Sequence, residues 1–228
     1  MGGQACVLYG AAEFSRDTDF TILSSPANLA RLRRALDDLR AEVIAVPPFE
    51  PKYLRKGHAV HFRCRHPEAA GMRIDVMTKM RGVEPFSKLW SRRTTMSLEN
   101  GSACEVISLP DLVKAKKTQL DRDWPMIRRL IEVHYFENRG QSTRQQIQFW
   151  LLELRTPELL IELAETRDGL PQHLILNRRL LRFAKRTRAL ELSKAMMGEE
   201  AAERTAGRRY WTPLKAELAS LRHARTHA

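Results

Sequence analysis

Three carboxylates and two glycines are the residues of this chain whose types and spacing could do chemistry. Asp17 and Asp19 stand two apart in Asp17-Thr18-Asp19-Phe20, at the head of an alternating, β-rich run over residues 18–23. Side chains alternate along an extended strand, so the two point the same way, about 7 Å apart. Like charges that close repel unless the strand end is solvated or a cation lies between them. A hard divalent ion with oxygen ligands is the natural occupant. A third carboxylate, Asp75, lies within the apolar run 72–77, sharing a face with Arg73 and Met77 while Ile74 and Val76 face the core. A carboxylate there needs a charged partner or a metal. Arg73 is the plainer partner, and Asp-x-Asp alone also fits an ordinary strand end. Gly2-Gly3 precedes a short helix expected over residues 4–9. Glycines at a helix start let a phosphate reach backbone N–H groups at the positive end of the helix dipole.

The surrounding pattern supplies elements to hold these groups. After the first strand, Ser25 reads as an N-cap and Pro26 as a first helical residue. The helix expected over 27–40 carries Leu29, Leu32, Leu36 and Leu39 at helical spacing, with Arg31, Arg33 and Arg34 outward. Short strands follow at 42–46, 59–64 and 72–77, the last two joined through His66-Pro67-Glu68-Ala69-Ala70-Gly71. A loop and short helix occupy 81–94. Strands at 94–98 and 103–107 flank Glu99-Asn100-Gly101-Ser102, a hairpin turn signal. Helices are expected from Pro110-Asp111 to about 119 and over 124–136. Asn138-Arg139-Gly140-Gln141-Ser142 reads as a linker. Beyond it all is helical, at 145–154, 157–166, 171–197 with a break, and 213–223. The architecture is α+β over 1–140, followed by a basic α-helical region over 141–228.

The 228 residues carry a net charge of +12, enough to attract polyanions. No apolar run approaches the roughly 20 residues of a membrane helix, and no secretory leader is apparent. Cys6, Cys64 and Cys104 are too few and too widely spaced for a disulfide framework or zinc knuckle, so a reducing cytoplasm is expected. His58, His61 and His66 lie close together without an acidic or Cys partner at zinc spacing. No P-loop and no Gly-x-Ser-x-Gly elbow occurs. Arg178, Arg179, Arg182, Lys185, Arg186 and Arg188 fall within eleven residues. Read as one helix, 178, 182, 185 and 186 share a face, either merely solvated or tracking phosphates.

Gly-Gly, a spacer of thirteen residues, Asp-x-Asp before an apolar residue, and a later strand Asp together resemble the DNA polymerase β-like nucleotidyltransferase superfamily. Within it the chain is most similar to bacterial minimal nucleotidyltransferases and the nucleotidyltransferase components of abortive-infection and toxin–antitoxin systems. The run Leu109-Pro110-Asp111-Leu112, with Lys114, Lys116 and Lys117 and then Arg122-Asp123, is similar to the family's helix pair behind its active site. The resemblance covers about residues 1–136. It implies a nucleotidyltransferase-like mixed sheet with flanking helices, and a chain that begins without the helix and strand usually found ahead of Gly-Gly. It implies two Mg²⁺ ions held by Asp17, Asp19 and Asp75, with Asp75 beside the attacking hydroxyl. Gly2 and Gly3 would cradle the triphosphate of an NTP, one lysine of Lys114, Lys116 and Lys117 would neutralise it, with Lys116 preferred and a merely solvated set as the alternative, and Arg16 would lie near it. Asp121 and Asp123 read as structural. The implied reaction moves an NMP to a hydroxyl of RNA or protein. The implied partners are the NTP, tRNA or other RNA along the basic tail, and a cognate toxin or antitoxin, with no membrane. The alternative is a non-catalytic antitoxin or nucleic-acid-binding module of the same fold.

Overall fold

The computed structural model describes residues 1–166 and 169–226. Its contacts separate two compact units, Met1–Lys116 with Arg208–Ala228, and Lys117–Gly207.

The first unit is built on a four-stranded sheet in the order β1-β4-β3-β2, where β1 is Asp17–Thr21, β2 Glu42–Val43, β3 Val60–Arg63 and β4 Arg73–Met77. β1 runs parallel to β4, and β3 is antiparallel to β2 and β4. Alternation decides which face is covered. Val60, Phe62, Ile74 and Val76 lie on one face and pack on Leu29 and Leu36 of helix α2 (Pro26–Asp38). Ser25 caps that helix by accepting from the Asn28 N–H, as its sequence predicts. Helix α1 (Gly2–Leu8) precedes β1. Helix α3 (Pro51–Lys56), which no periodicity signalled, adds Leu54 to the core. Helix α4 (Phe86–Ser91) leads to a separate hairpin, β5 (Thr94–Ser97) and β6 (Ala103–Val106), and then to α5 (Leu109–Lys116).

The second unit is helical: α6 (Asp123–Asn138), α7 (Arg144–Glu153), α8 (Pro157–Glu165), α9 (Gln172–Asn177) and the first part of α10 (Ala189–Thr226). The expected linker at 138–142 lies inside this unit, as the end of α6 and a 3-10 turn at Arg139–Gln141. The core gathers Trp124, Ile127, Leu130, Ile131, Trp150, Leu151 and Leu160. Gly207 passes the backbone at Thr118 and Gln119 so closely that a Cβ would stand 2.9 Å from the Gln119 nitrogen.

The helix expected over 171–197 is in pieces, with 3-10 turns at Arg179–Phe183 and Arg186–Arg188 between α9 and α10. Arg178 is the cause. Its backbone leaves the helical region (φ −133°, ψ 86°) and its side chain turns inward. There it donates to the Leu151 and Leu154 carbonyls at 3.0 and 2.8 Å, capping α7, and ion-pairs with Glu199 at 3.0 Å. Thus 178, 182, 185 and 186 do not form one helix face. The helix expected at 213–223 belongs to α10, which runs through Pro213. The proline removes one backbone rung, and the Thr212 hydroxyl donates to the Arg208 carbonyl in the same turn (2.8 Å).

Two outcomes follow for the second unit. Arg178→Ala leaves Glu199 short of a partner and two carbonyls uncapped, and urea unfolding is expected to show a loss of about 3–5 kcal/mol. Trp150 Nε1 donates to Nδ1 of His134 at 2.9 Å, and burial holds the His134 pKa below its ordinary value. The unfolded chain then binds the proton more readily, so stability is lost as pH falls through about 6.5. His134→Gln, whose carbonyl can still accept from Trp150, should flatten this pH dependence in thermal melts.

Candidate active site

The parallel register sets Asp19 opposite Asp75 and Asp17 opposite Arg73. The antiparallel register on the other side of β4 sets His61 opposite Asp75. Paired residues share a face, so Asp17, Asp19, Asp75, Arg73 and His61 all lie on the face away from α2. The structure thus brings the three predicted carboxylates onto adjacent strands as neighbours. Arg73, the ordinary neighbour considered for Asp75, stands instead beside Asp17, with Nε 3.4 Å from Asp17 Oδ1.

Helix α1 closes one side of this row. The Gly3 N–H donates to Asp19 Oδ2 at 3.2 Å, and the Met1 ammonium donates to the Asp19 carbonyl at 2.7 Å. The glycines make this approach possible. Gly2 has φ +66°, and a Cβ on it would lie 1.9 Å from Asp19 Oδ2; one on Gly3 would lie 2.2 Å from Ser15 Oγ. Ser15 in turn donates to the Asp17 carbonyl at 2.8 Å. The glycine pair therefore has a resident anion, the Asp19 carboxylate, at the N–H expected to meet phosphate. The far end of α1 is fixed by Tyr9, whose hydroxyl bonds the Ile107 carbonyl (2.9 Å) and Thr94 Oγ1 (3.0 Å).

Burial is the main influence on Asp19 and pushes its pKa up. The Gly3 N–H opposes it, the Asp75 charge adds to it, and the Met1 ammonium and Lys116 oppose it more weakly. Lys116, half-buried at the end of α5, is the one of the three candidate lysines whose charge reaches Asp19. Lys114 is exposed, and Lys117 is paired with Glu153 at 2.7 Å. Arg16 is exposed. Asp111 is buried and held by Arg92 through two bonds of 2.9 and 3.0 Å, with Ser108 Oγ donating at 2.8 Å. Asp123 accepts from Thr118, and Asp121 pairs with Arg204, so both serve the second unit as structural partners.

Two carboxylate oxygens, Asp17 Oδ1 and Asp75 Oδ1, are buried without a hydrogen-bond donor. His61 Nδ1 lies 2.8 Å from Asp75 Oδ1, yet neither atom has a hydrogen bond: the ring is close but its N–H is not directed at the oxygen. Oxygens so left suit a hard cation, and the donor set is all oxygen. Among the described residues no three His, Cys, Asp or Glu side chains converge to hold an ion as they stand. The strands supply the row of carboxylates, and the side chains are not gathered around one point.

His61 was not found from the sequence, where it was weighed only as a zinc ligand. The signal was available: Val60 and Phe62 are core residues, so His61 must face the other way, toward the side of Asp75. The cysteines are free, with Cys6 and Cys64 buried and Cys104 half-buried. Among the described residues no helix is long and apolar enough to cross a membrane. No family model matches the chain, and a search of curated proteins finds no match either.

Because folding raises the pKa of Asp19, its charged form is disfavoured in the native state at neutral pH, and this penalty disappears as pH falls below the carboxylate range. Asp19→Asn keeps an acceptor for the Gly3 N–H and removes the charge. It is expected to raise the melting temperature at pH 8 and to leave it unchanged at pH 3.

Proposed function

We propose that the chain is a Mg²⁺-dependent nucleotidyltransferase of the polymerase β-like kind, moving an NMP from an NTP to a hydroxyl of RNA or protein. The observation that carries this reading is the row of Asp17, Asp19 and Asp75 on one sheet face, with one buried oxygen each of Asp17 and Asp75 making no hydrogen bond and having only the ion-pair neighbours Arg73 and His61. When bound, two Mg²⁺ ions would neutralise charge on the phosphates and on the entering and leaving oxygens. Asp17 and Asp19 would hold both ions, and Asp75 would hold the one on the acceptor side. Asp75 also takes the proton of the acceptor hydroxyl. The oxygen then forms a bond to the α-phosphorus as the bond from that phosphorus to the β-phosphate oxygen breaks, and pyrophosphate leaves. Lys116 offsets charge on the triphosphate, with Gly2, Arg16 and, once its N–H leaves the Asp19 carboxylate for the phosphate, Gly3 as its further contacts. Free cysteines suit a cytoplasmic setting.

A second reading is a non-catalytic binding module or antitoxin of the same fold, acting on a cognate toxin or a nucleic acid. One observation favours it: the Gly3 N–H is already taken by Asp19.

Label transfer separates the two. Wild type, Asp17→Ala/Asp19→Ala and Asp75→Asn would each be incubated with Mg²⁺, each α-labelled NTP, and either total RNA or a protein lysate. Transfer to one acceptor class is expected from wild type, reduced by roughly 10²–10³-fold or more in the variants. Equal transfer by the variants would sink the mechanism. No transfer by any form would favour the binding module.

A further inference from the structure

The cationic run 178–188 behaves in a way its composition does not announce. It contains six cations, and the next acidic residue is Glu191. Arg178 alone is drawn inside, where it caps α7 and meets Glu199. Leu180, Leu181 and Ala184 are buried between the other cations and anchor the segment. The 3-10 turns then leave Arg179, Arg182, Lys185, Arg186 and Arg188 all exposed.

Five like charges gathered on one short surface repel, and the protein offsets them sparingly. Arg186 pairs with Glu165 and Arg188 with Glu191, both at the surface, where such pairs contribute little. Arg179, Arg182 and Lys185 have no acidic partner among the described residues. The guanidinium groups of Arg182 and Arg188 both lie over the Phe183 ring, 4.6 and 4.5 Å from its centre. This stacking orders two long side chains before any partner arrives. Arg182 also borders two depressions, one of about 270 Å³ with Arg179 and Glu199 and one of about 650 Å³ with Lys185, Arg186 and Glu165; both glutamates are themselves paired with arginines.

We propose that this segment is a docking surface for the phosphate backbone of single-stranded RNA. Charge complementarity selects a polyanion, and ordered guanidinium forks suit phosphate oxygens. The short reach of the segment favours a single strand. A duplex RNA is held by contacts spread over two successive minor grooves and the phosphates between them, whereas these cations stand on two short turns beside depressions that a flexible strand can follow. The surface needs neither the metal nor the nucleotide of the transfer reaction and stands whether or not that reaction occurs.

The test is fluorescence anisotropy with a labelled, mixed-sequence single-stranded RNA across a KCl series, in EDTA and without NTP. Arg179→Gln/Arg182→Gln/Lys185→Gln removes the three cations that lack acidic partners. A control variant, Arg31→Gln/Arg34→Gln/Arg55→Gln, lowers net charge equally at exposed sites in the first unit. Circular dichroism checks that each is folded. Wild type and control are expected to bind alike. The segment variant should bind at least about tenfold more weakly at low salt, and its slope of log affinity against log salt should flatten by about two, at ~0.7 per phosphate contact. Equal loss in the control would reduce the effect to net charge and overturn the proposal. So would an unaffected segment variant, absence of RNA binding by wild type, or tighter binding to duplex RNA or to polyglutamate than to the single strand.

Discussion

Parallel pairing of β1 with β4 puts two carboxylates of like charge opposite one another, and most of what surrounds the candidate site answers that constraint. Asp19 and Asp75 are held in register by strands whose other face is committed to the core. A slip of one residue would relieve the repulsion and would also turn Ile74 and Val76 out of the core. Burial of the apolar face therefore enforces the proximity of the charges. The compensations are visible around the row: the Gly3 N–H and Met1 ammonium on Asp19, Arg73 beside Asp17, His61 beside Asp75, and Lys116 within electrostatic reach. They are incomplete, since one oxygen each of Asp17 and Asp75 stays without a donor.

How far this was legible from the sequence depended on the range of each signal. Alternation along one strand is local, so residues 17–19 and 74–76 declared which side chains face together. The Ser25 cap and the Asn100-Gly101 turn are equally local, and the cap and the hairpin appear where those residues imply. The β3 partner of Asp75 is a matter of register across a connection containing a 3-10 turn at Pro67–Ala69, and His61 was missed for that reason. Helix α3 has six residues, too few to show a period. The division of the chain was least legible. The glycine and polar residues at 138–142 resemble a connector, but they turn between two helices that share one core.

Arg178 and Arg182 show why composition alone cannot assign a basic stretch. They are four residues apart and chemically identical, and a helical reading makes them equivalent. One is buried, completing a helix end and an acidic partner; the other lies on the surface over an aromatic ring. The difference comes from the α7 carbonyls, which need donors, and from Glu199, whose carboxyl burial pushes up but Arg178 and Arg155 hold below its ordinary range. A distant set of acceptors decides which cation is structural and which remain available to a partner.

The first unit takes its last elements from the far end of the chain. Glu217 in α10 accepts from Lys56 and lies 2.9 Å from the buried His58, and 159 residues separate that histidine from its partner. At roughly 5–20 residues per second, a ribosome needs on the order of 8–30 s to cover that interval. Meanwhile the second unit, drawn from one continuous stretch, emerges whole. The first unit is therefore begun first and finished last: all four strands of its sheet are made by Met77, but until α10 is released His58 lacks the acidic residue it meets in the folded protein.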